Sequence, residues 1–203
     1  MLLKRNFLII LILFLVRLLI QTQIIVPFYR CAWPGISTGV FFTTSGDTES
    51  YTRPWIYLVE KGIYSMDGTT PSATRPPYPG LLFGISYFIT HEKVLSMEIT
   101  SVIQILLGVI AVYFMALLCK DIWEDIFKDS DKAHRAALLY LFLSMFSFHT
   151  LFFDGAILSD GLATAFLSFF SYNYYHYLRK NNKTTYLFIS GIFMALVTLY
   201  RPY

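Results

Sequence analysis

The chain of 203 residues is 56% apolar and only 14% charged, with a net charge of +3 at pH 7. Charged residues make up roughly a quarter of an ordinary soluble domain. The composition therefore indicates an integral membrane protein in contact with membrane lipid. The small and scattered positive charge argues against nucleic acid as a partner.

Apolar runs of roughly 20 residues, the length that crosses a bilayer as a helix, recur along the chain. Helices are expected because an unpaired backbone amide in hydrocarbon costs several kcal/mol. The first run is too long for a signal-peptide core and lacks a small-residue cleavage site, so we expect it to remain as a span. The sequence predicts an all-α polytopic helical bundle with spans at 7–26, 94–118, 136–153, 159–178 and 186–200.

The orientation of this bundle follows from its basic residues. With five spans, three clusters of basic residues fall on one side, which the positive-inside rule makes cytoplasmic. They are Lys4, Arg5, Lys120, Lys128, Lys132, Arg135, Arg179, Lys180 and Lys183. The N-terminus is then cytoplasmic and the large first loop, 27–93, is extracytoplasmic with juxtamembrane helices. Within that loop, the apolar piece between Tyr78 and Thr90 is predicted to be an interfacial or half-inserted helix.

The stretch from Gly46 to Gly80 is the most polar part of the chain and begins with two carboxylates. Near a bilayer surface, the lower effective dielectric strengthens Asp47 as a proton acceptor. Asp47 can also be the N-cap of a helix over 48–61, and the two roles are compatible. Glu49 is a candidate metal or substrate ligand, and its alternative role is a solvated carboxylate favoured by the helix dipole.

The same stretch closes with Arg75-Pro76-Pro77-Tyr78-Pro79, in which the backbone is restricted at almost every position. Such a run can hold Arg75 beside the membrane, where its guanidinium suits a phosphate head group. The alternative is a rigid elbow that returns the chain to lipid, with Arg75 reaching the head groups only as an anchor.

Other ionisable residues enter the predicted spans. Asp160 begins the fourth span, as a functional carboxylate or as an N-cap, and Arg201 ends the fifth. Arg17 lies within the first span and is expected to pair with an acidic or carbonyl partner inside the bundle. Cys31 and Cys119 fall on opposite sides, too far apart for a disulfide.

The order of these parts resembles the N-terminal portion of the GT-C fold membrane glycosyltransferases. This group includes the protein O-mannosyltransferases and bacterial aminoarabinose transferases (families 39 and 83). The matching pieces, separated by spans and basic inner turns, are GDTESY, YLVEKGIY, ATRPPYPGLLF, LSDGLATAF and LYRP. The family's usual Arg-Pro-Pro-Gly-Tyr-Pro run lacks its Gly in this chain, and Ser159-Asp160 stands where the family often has Ser/Thr-Glu.

The resemblance implies transfer of a sugar from a polyprenyl-phosphate donor to an extracytoplasmic acceptor, in a bacterial inner membrane or its equivalent. Asp47 matches the family's catalytic base. The expected substrate-binding residues are Glu49, Lys61, Arg75, Tyr78, Asp160 and Arg201. Some relatives use a divalent metal, but this chain spells out no ligand set.

The family's members run to several hundred residues, so residues 1–203 correspond to the first half of the domain. We expect a fragment, or a partner chain that supplies the remaining half of the bundle. Two other classes stay open: a transporter or flippase of lipid-linked sugars, and a non-catalytic membrane assembly subunit.

Overall fold

Helices form nearly all the regular structure in the described part of the chain. The computed structural model describes residues 2–33, 35, 37–44, 47–72, 76–147, 159–181 and 183–200. Across these ranges the only β pairing is an isolated antiparallel bridge between Thr38 and Thr43. The all-α class is therefore confirmed.

In chain order, the helices of these ranges begin with α1 (Leu2–Ile20), which continues through a π-helical segment (Gln21–Ile25) into α2 (Val26–Ala32). They continue with α3 (Thr48–Lys61), a 3-10 turn (Tyr78–Gly80) leading into α4 (Leu81–Thr90), α5 (Lys93–Phe127), α6 (Ser130–Met145), α7 (Ser159–His176), which extends as a π-helical segment (Tyr177–Asn181), and α8 (Thr184–Tyr200).

Two of the predicted spans coincide with helices that are long and apolar enough to cross a membrane, Asn6–Ala32 and Lys93–Phe127. The fourth and fifth predicted spans coincide with α7 and α8, whereas α6 covers only positions 136–145 of the third span, and Phe146 and Ser147 after it are not helical. Of these, α8 is apolar but shorter, and positions 148–153 of the third predicted span lie outside the described residues. The crossing of the membrane by these three helices remains a prediction.

The first helix extends beyond its predicted end at position 26 and reaches Ala32. Pro27 stands near the start of α2 and has no N–H to donate to the preceding turn. The backbone widens into the π-helical segment Gln21–Ile25 immediately before it, as helices do where the regular hydrogen-bond ladder is interrupted. The loop that follows the first predicted span therefore begins after Ala32 rather than at position 27.

Helix α5 also extends beyond the predicted span 94–118, because most of the charged connection that follows this span is itself helical. Only Lys128 and Asp129 separate α5 from α6. Lys128 ends α5 in the left-handed conformation, with φ of 53°. Asp129 then caps α6 by accepting a hydrogen bond of 3.0 Å from the backbone N–H of Lys132.

Packing is organised around α5, which contacts α1, α4, α6 and α7, while α8 packs on α7. Arg17 of α1 is 1% exposed. Its Nη2 donates a hydrogen bond of 2.8 Å to the Ser144 carbonyl in the last turn of α6. The expected carbonyl partner is therefore present, at a helix end where backbone carbonyls lack intrahelical donors. Cys31 and Cys119 are both free thiols.

Candidate functional site

Asp47 immediately precedes α3 and its side chain is exposed. It holds the N-cap position with φ of −87° and ψ of −14°, but its carboxylate makes no capping hydrogen bond. The Asp47 carbonyl instead accepts hydrogen bonds from Ser50, 3.0 Å from the backbone N–H and 2.7 Å from Oγ. Asp47 thus occupies the N-cap position, but its carboxylate does not cap the helix.

The segment before Asp47 is tied to α5 by Glu98. The Glu98 carboxylate accepts hydrogen bonds from the backbone N–H groups of Val40 (2.6 Å) and Phe41 (2.9 Å). Ser101 Oγ donates to the Phe41 carbonyl at 2.9 Å. Phe42 is buried in a cluster that includes Phe83 and Met97. Segment 37–44 is therefore fixed to α5 through backbone and side-chain contacts.

Sequence reasoning did not select Glu98. The signal that identifies it is its position, because it is the single acidic residue inside the predicted span 94–118. An ionisable group in a span is costly unless it has a partner. In the structure its partners are the backbone N–H groups of segment 37–44, which no sequence pattern associates with α5.

The proline-rich run is attached to α3. Trp55 Nε1 of α3 donates a hydrogen bond of 3.0 Å to the Pro77 carbonyl. A Cβ placed on Gly80 would lie 2.3 Å from the Tyr51 carbonyl oxygen, and one on Gly84 would lie 2.2 Å from the Trp55 ring. The two glycines, one turn apart, let the start of α4 approach α3 closely. Gly80 therefore meets α3 one helical turn beyond Asp47.

Of the residues predicted in that run, Tyr78 begins the 3-10 turn and is 41% exposed. Arg75 lies outside the described residues. The structure thus supports an elbow that turns the chain into α4, and the phosphate role of Arg75 stays a prediction.

Glu49 and Lys61 lie at opposite ends of α3. Glu49 pairs with Lys93 at the start of α5 (2.6 Å) and with Arg53 (3.5 Å). Lys61 lies 4.7 Å from the centre of the Tyr57 ring and 3.5 Å from the Gly68 carbonyl oxygen. At 1.5 Å per residue, roughly 20 Å of helix separates Lys61 from Asp47. Glu49 therefore lies near Asp47 in the first turn of α3, whereas Lys61 lies at the far end of the helix.

The turn after α3 is stabilised by Asp67. Its carboxylate accepts hydrogen bonds from the backbone N–H groups of Thr70 and Thr69, at 2.9 Å each, and from the Ser65 hydroxyl at 2.7 Å. The backbone donors of Thr70 and Thr69 hold the pKa of Asp67 well below its usual range. This carboxylate is committed to the turn, as in the Asx turns that Asp commonly forms.

Asp160 lies in the first turn of α7, where the helix dipole favours a carboxylate. Just beyond it, Leu162 and Ala163 form a buried cluster with Tyr200 at the end of α8. Leu82 of α4 packs against this cluster, and α8 contacts the 3-10 turn. The start of α7, the end of α8 and the proline-rich turn therefore meet at one end of the bundle. Arg201 lies outside the described residues.

The described residues contain no group of three or more His, Cys, Asp or Glu side chains that could hold a metal ion. No ligand set can therefore be assigned within that part of the chain.

Comparison with known proteins adds no relative. No family model, no curated protein and no solved structure matches this chain. The chemistry of the site therefore rests on the residues of this chain.

Proposed function

We propose that the chain belongs to a membrane glycosyltransferase of GT-C type. It would transfer a sugar from a polyprenyl-phosphate donor to an extracytoplasmic acceptor, with Asp47 as the general base. The observation that supports this proposal is the position of Asp47. Its exposed carboxylate precedes α3, and Gly80, at the end of the proline-rich run, packs one helical turn away.

The rigidity of this arrangement also favours the proposal, because catalysis needs reacting groups held in a defined geometry. Glu98 holds the segment before Asp47 on α5. Trp55 holds the proline-rich run on α3. Asp47 and the described end of the proline-rich run, at Pro77, are thus both attached to α3, which packs on α4.

In the proposed reaction, an acceptor hydroxyl or amine attacks the anomeric carbon of the donor sugar. The bond from that carbon to the phosphate oxygen breaks, and the departing polyprenyl phosphate keeps the electron pair. Asp47 takes the proton of the attacking atom. Arg75, three residues before Tyr78, and Arg201 would stabilise charge on the departing phosphate. Glu49 would act indirectly, by fixing the start of α3 to Lys93.

We also propose the complete five-span bundle, with a cytoplasmic N-terminus. The distribution of exposed apolar side chains supports it. Large apolar side chains are exposed on α6 and α8 as well as on the two long helices, which is typical of a surface that faces lipid rather than water. Examples are Phe7, Leu138, Phe142 and Phe188, at 54–68% exposure.

A transporter would be favoured by charges at mid-membrane that line a substrate path. Arg17, which lies within the first predicted span, is the residue that would favour this class. Its hydrogen bond to the end of α6 accounts for it as a contact between helices. No described contact favours the transporter or the assembly subunit over the enzyme.

The test uses membranes that contain the full chain, incubated with labelled polyprenyl-phosphate mannose or aminoarabinose. The readout is release of polyprenyl phosphate, which transport of intact donor does not produce. Asp47→Asn is expected to lower release by about 100-fold or more, the usual contribution of a general base. Asp131→Asn, which removes a carboxylate from the first turn of α6, serves as the matched control. Equal release by wild type and Asp47→Asn would overturn the assignment of the base.

A further inference from the structure

A cavity lies between α1, α5 and α6, at the end of the bundle opposite Asp47. Its volume is about 510 Å³, within the range of small-molecule sites. It is bounded by the first turns of α1, the last turns of α5 and the first turns of α6. The proposed reaction uses none of its residues.

The cavity has apolar walls built from regular helix faces. On α5 the wall is formed by Tyr113 and Leu117, and on α6 by Leu138 and Leu141. Residues three or four apart share one side of a helix, so these walls run along the helix axes. Leu138 is 54% exposed, which leaves the cavity open toward the surroundings of the bundle. An elongated apolar chain could lie along it.

Apart from the Tyr113 hydroxyl, the polar side chains of the described lining lie toward the end of the cavity where α1 and α6 begin and α5 ends. They are Asn6 of α1, Lys120 of α5 and His134 of α6. Lys4 and Arg5 immediately precede Asn6 in the first turns of α1. All three helices thus contribute a polar residue, and the charged residues in this set are basic.

The acidic residues of α5 nearby are directed elsewhere. Asp121 lies 3.4 Å from His176 of α7, and Asp125 accepts a hydrogen bond from Tyr175 of α7. Glu124 pairs with Lys120 at 3.7 Å, with both side chains about a third or more exposed. Exposed pairs of this spacing contribute only a few tenths of a kcal/mol. Lys120 can therefore turn from Glu124 to a stronger anion.

We propose that this cavity binds an anionic phospholipid, with its phosphate at Lys120 and His134 and an acyl chain along Leu117 and Leu141. A basic pocket between membrane helices is the arrangement that recognises anionic head groups. The apolar walls select a lipid over a free phosphate. This site does not depend on the proposed sugar-transfer chemistry, but it rests on the proposed five-span bundle, in which α6 crosses the membrane.

The test measures lipid retained by the purified full chain, by native mass spectrometry after exchange into equal amounts of phosphatidylglycerol and phosphatidylcholine. Wild type is expected to retain phosphatidylglycerol preferentially. Lys120→Gln should lower its retention by about fivefold, the effect of one basic residue near a lipid surface. Lys132→Gln removes the same charge from the same end, outside the cavity, and should change retention little.

A second variant addresses the cavity itself. Ala137→Trp should fill it and lower retention of phosphatidylglycerol, whereas Ala195→Trp, at an exposed position on α8, should not. Equal retention of the two lipids by wild type would overturn the proposal, as would equal losses in Lys120→Gln and Lys132→Gln. Displacement of the lipid by glycerol phosphate at similar concentration would show a phosphate site and contradict the lipid assignment.

Discussion

Gly80 lies against the backbone of Tyr51, so closely that a Cβ on Gly80 would come within 2.3 Å of the Tyr51 carbonyl oxygen. The Trp55 ring occupies the space beside it, and a Cβ would lie 2.7 Å from Trp55 Cδ1. This contact joins the proline-rich turn to the first half of α3. The position of the candidate site therefore depends on the absence of a single methyl group.

We predict that Gly80→Ala separates α4 from α3. The backbone oxygen cannot move out of the way as a flexible side chain can, so overpacking should destabilise the protein by about 1–3 kcal/mol. Thermal unfolding of the detergent-solubilised protein measures the loss. Gly191→Ala is the matched control, since a Cβ there meets nothing within 4 Å. Within helix α8 that change should be neutral or stabilising. Equal melting temperatures for the two variants would contradict the close contact.

We predict that Glu98→Gln loosens segment 37–44. The carboxylate accepts two backbone hydrogen bonds, and bonds to a charged group contribute about 1.5–3 kcal/mol. Hydrogen exchange of a peptide that covers Val40 and Phe41 should accelerate. Glu124→Gln, which removes an exposed carboxylate from the same helix, should leave that exchange unchanged. If hydrogen exchange of this segment is as slow in Glu98→Gln as in the wild type, the apolar contacts of Phe42 are sufficient to hold the segment on α5.

The contact between Tyr87 and Glu60 predicts a sensitivity to alkaline pH. The hydrogen bond that the Tyr87 hydroxyl donates to Glu60, helped by burial, raises the pKa of Tyr87 to about 12. The unfolded pKa is about 10. A raised pKa stabilises the protonated, folded form, so this stability is complete below pH 10 and is lost as pH rises through 12.

The folding stability of Tyr87→Phe should therefore fall less between pH 10 and 12 than that of the wild type. At neutral pH the same variant should lower the free energy of unfolding by about 1.5–3 kcal/mol, the contribution of a hydrogen bond to a charged group. Phenolate absorbance and unfolding, followed together against pH, measure both effects. Tyr174→Phe, at a residue 40% exposed on α7, is the control. If Tyr87→Phe loses stability between pH 10 and 12 as the wild type does, the hydrogen bond between Tyr87 and Glu60 is not the cause of that loss.

We predict that Arg17→Leu weakens the packing of α1 on α6 and leaves membrane insertion intact. Leucine inserts more favourably than arginine, by about 2.5–3.5 kcal/mol for an arginine at a helix centre. The variant nevertheless loses a charged donor to the Ser144 carbonyl, worth about 1.5–3 kcal/mol. A lower melting temperature with normal insertion is the expected result. Arg135→Leu, at an exposed residue of α6, should not lower it.

The features of the candidate site that the sequence predicted are those that depend on neighbouring residues in the chain. A Gly followed by an Asp and a short amphipathic run predicted a helix over 48–61, and α3 spans Thr48–Lys61. The proline-rich run predicted an elbow, because prolines restrict their neighbours' backbones. Local sequence patterns did not indicate where Lys61 lies relative to Asp47. Its grouping with Asp47 came from the resemblance, while the length of a straight helix keeps the two residues apart.

The amino-acid sequence by itself determined the helical class and the positions of the long apolar segments, because bilayer thickness and helix rise set the length of an apolar run. Tertiary structure alone decided the partners of the polar groups within those segments. Glu98 could have met a cation, a carboxyl group or a backbone, and Arg17 could have met an acid as readily as a helix end. Both have hydrogen-bond partners that are distant in the sequence and that only the fold brings within reach. For Arg17, which is 1% exposed, burial away from water makes such a partner obligatory.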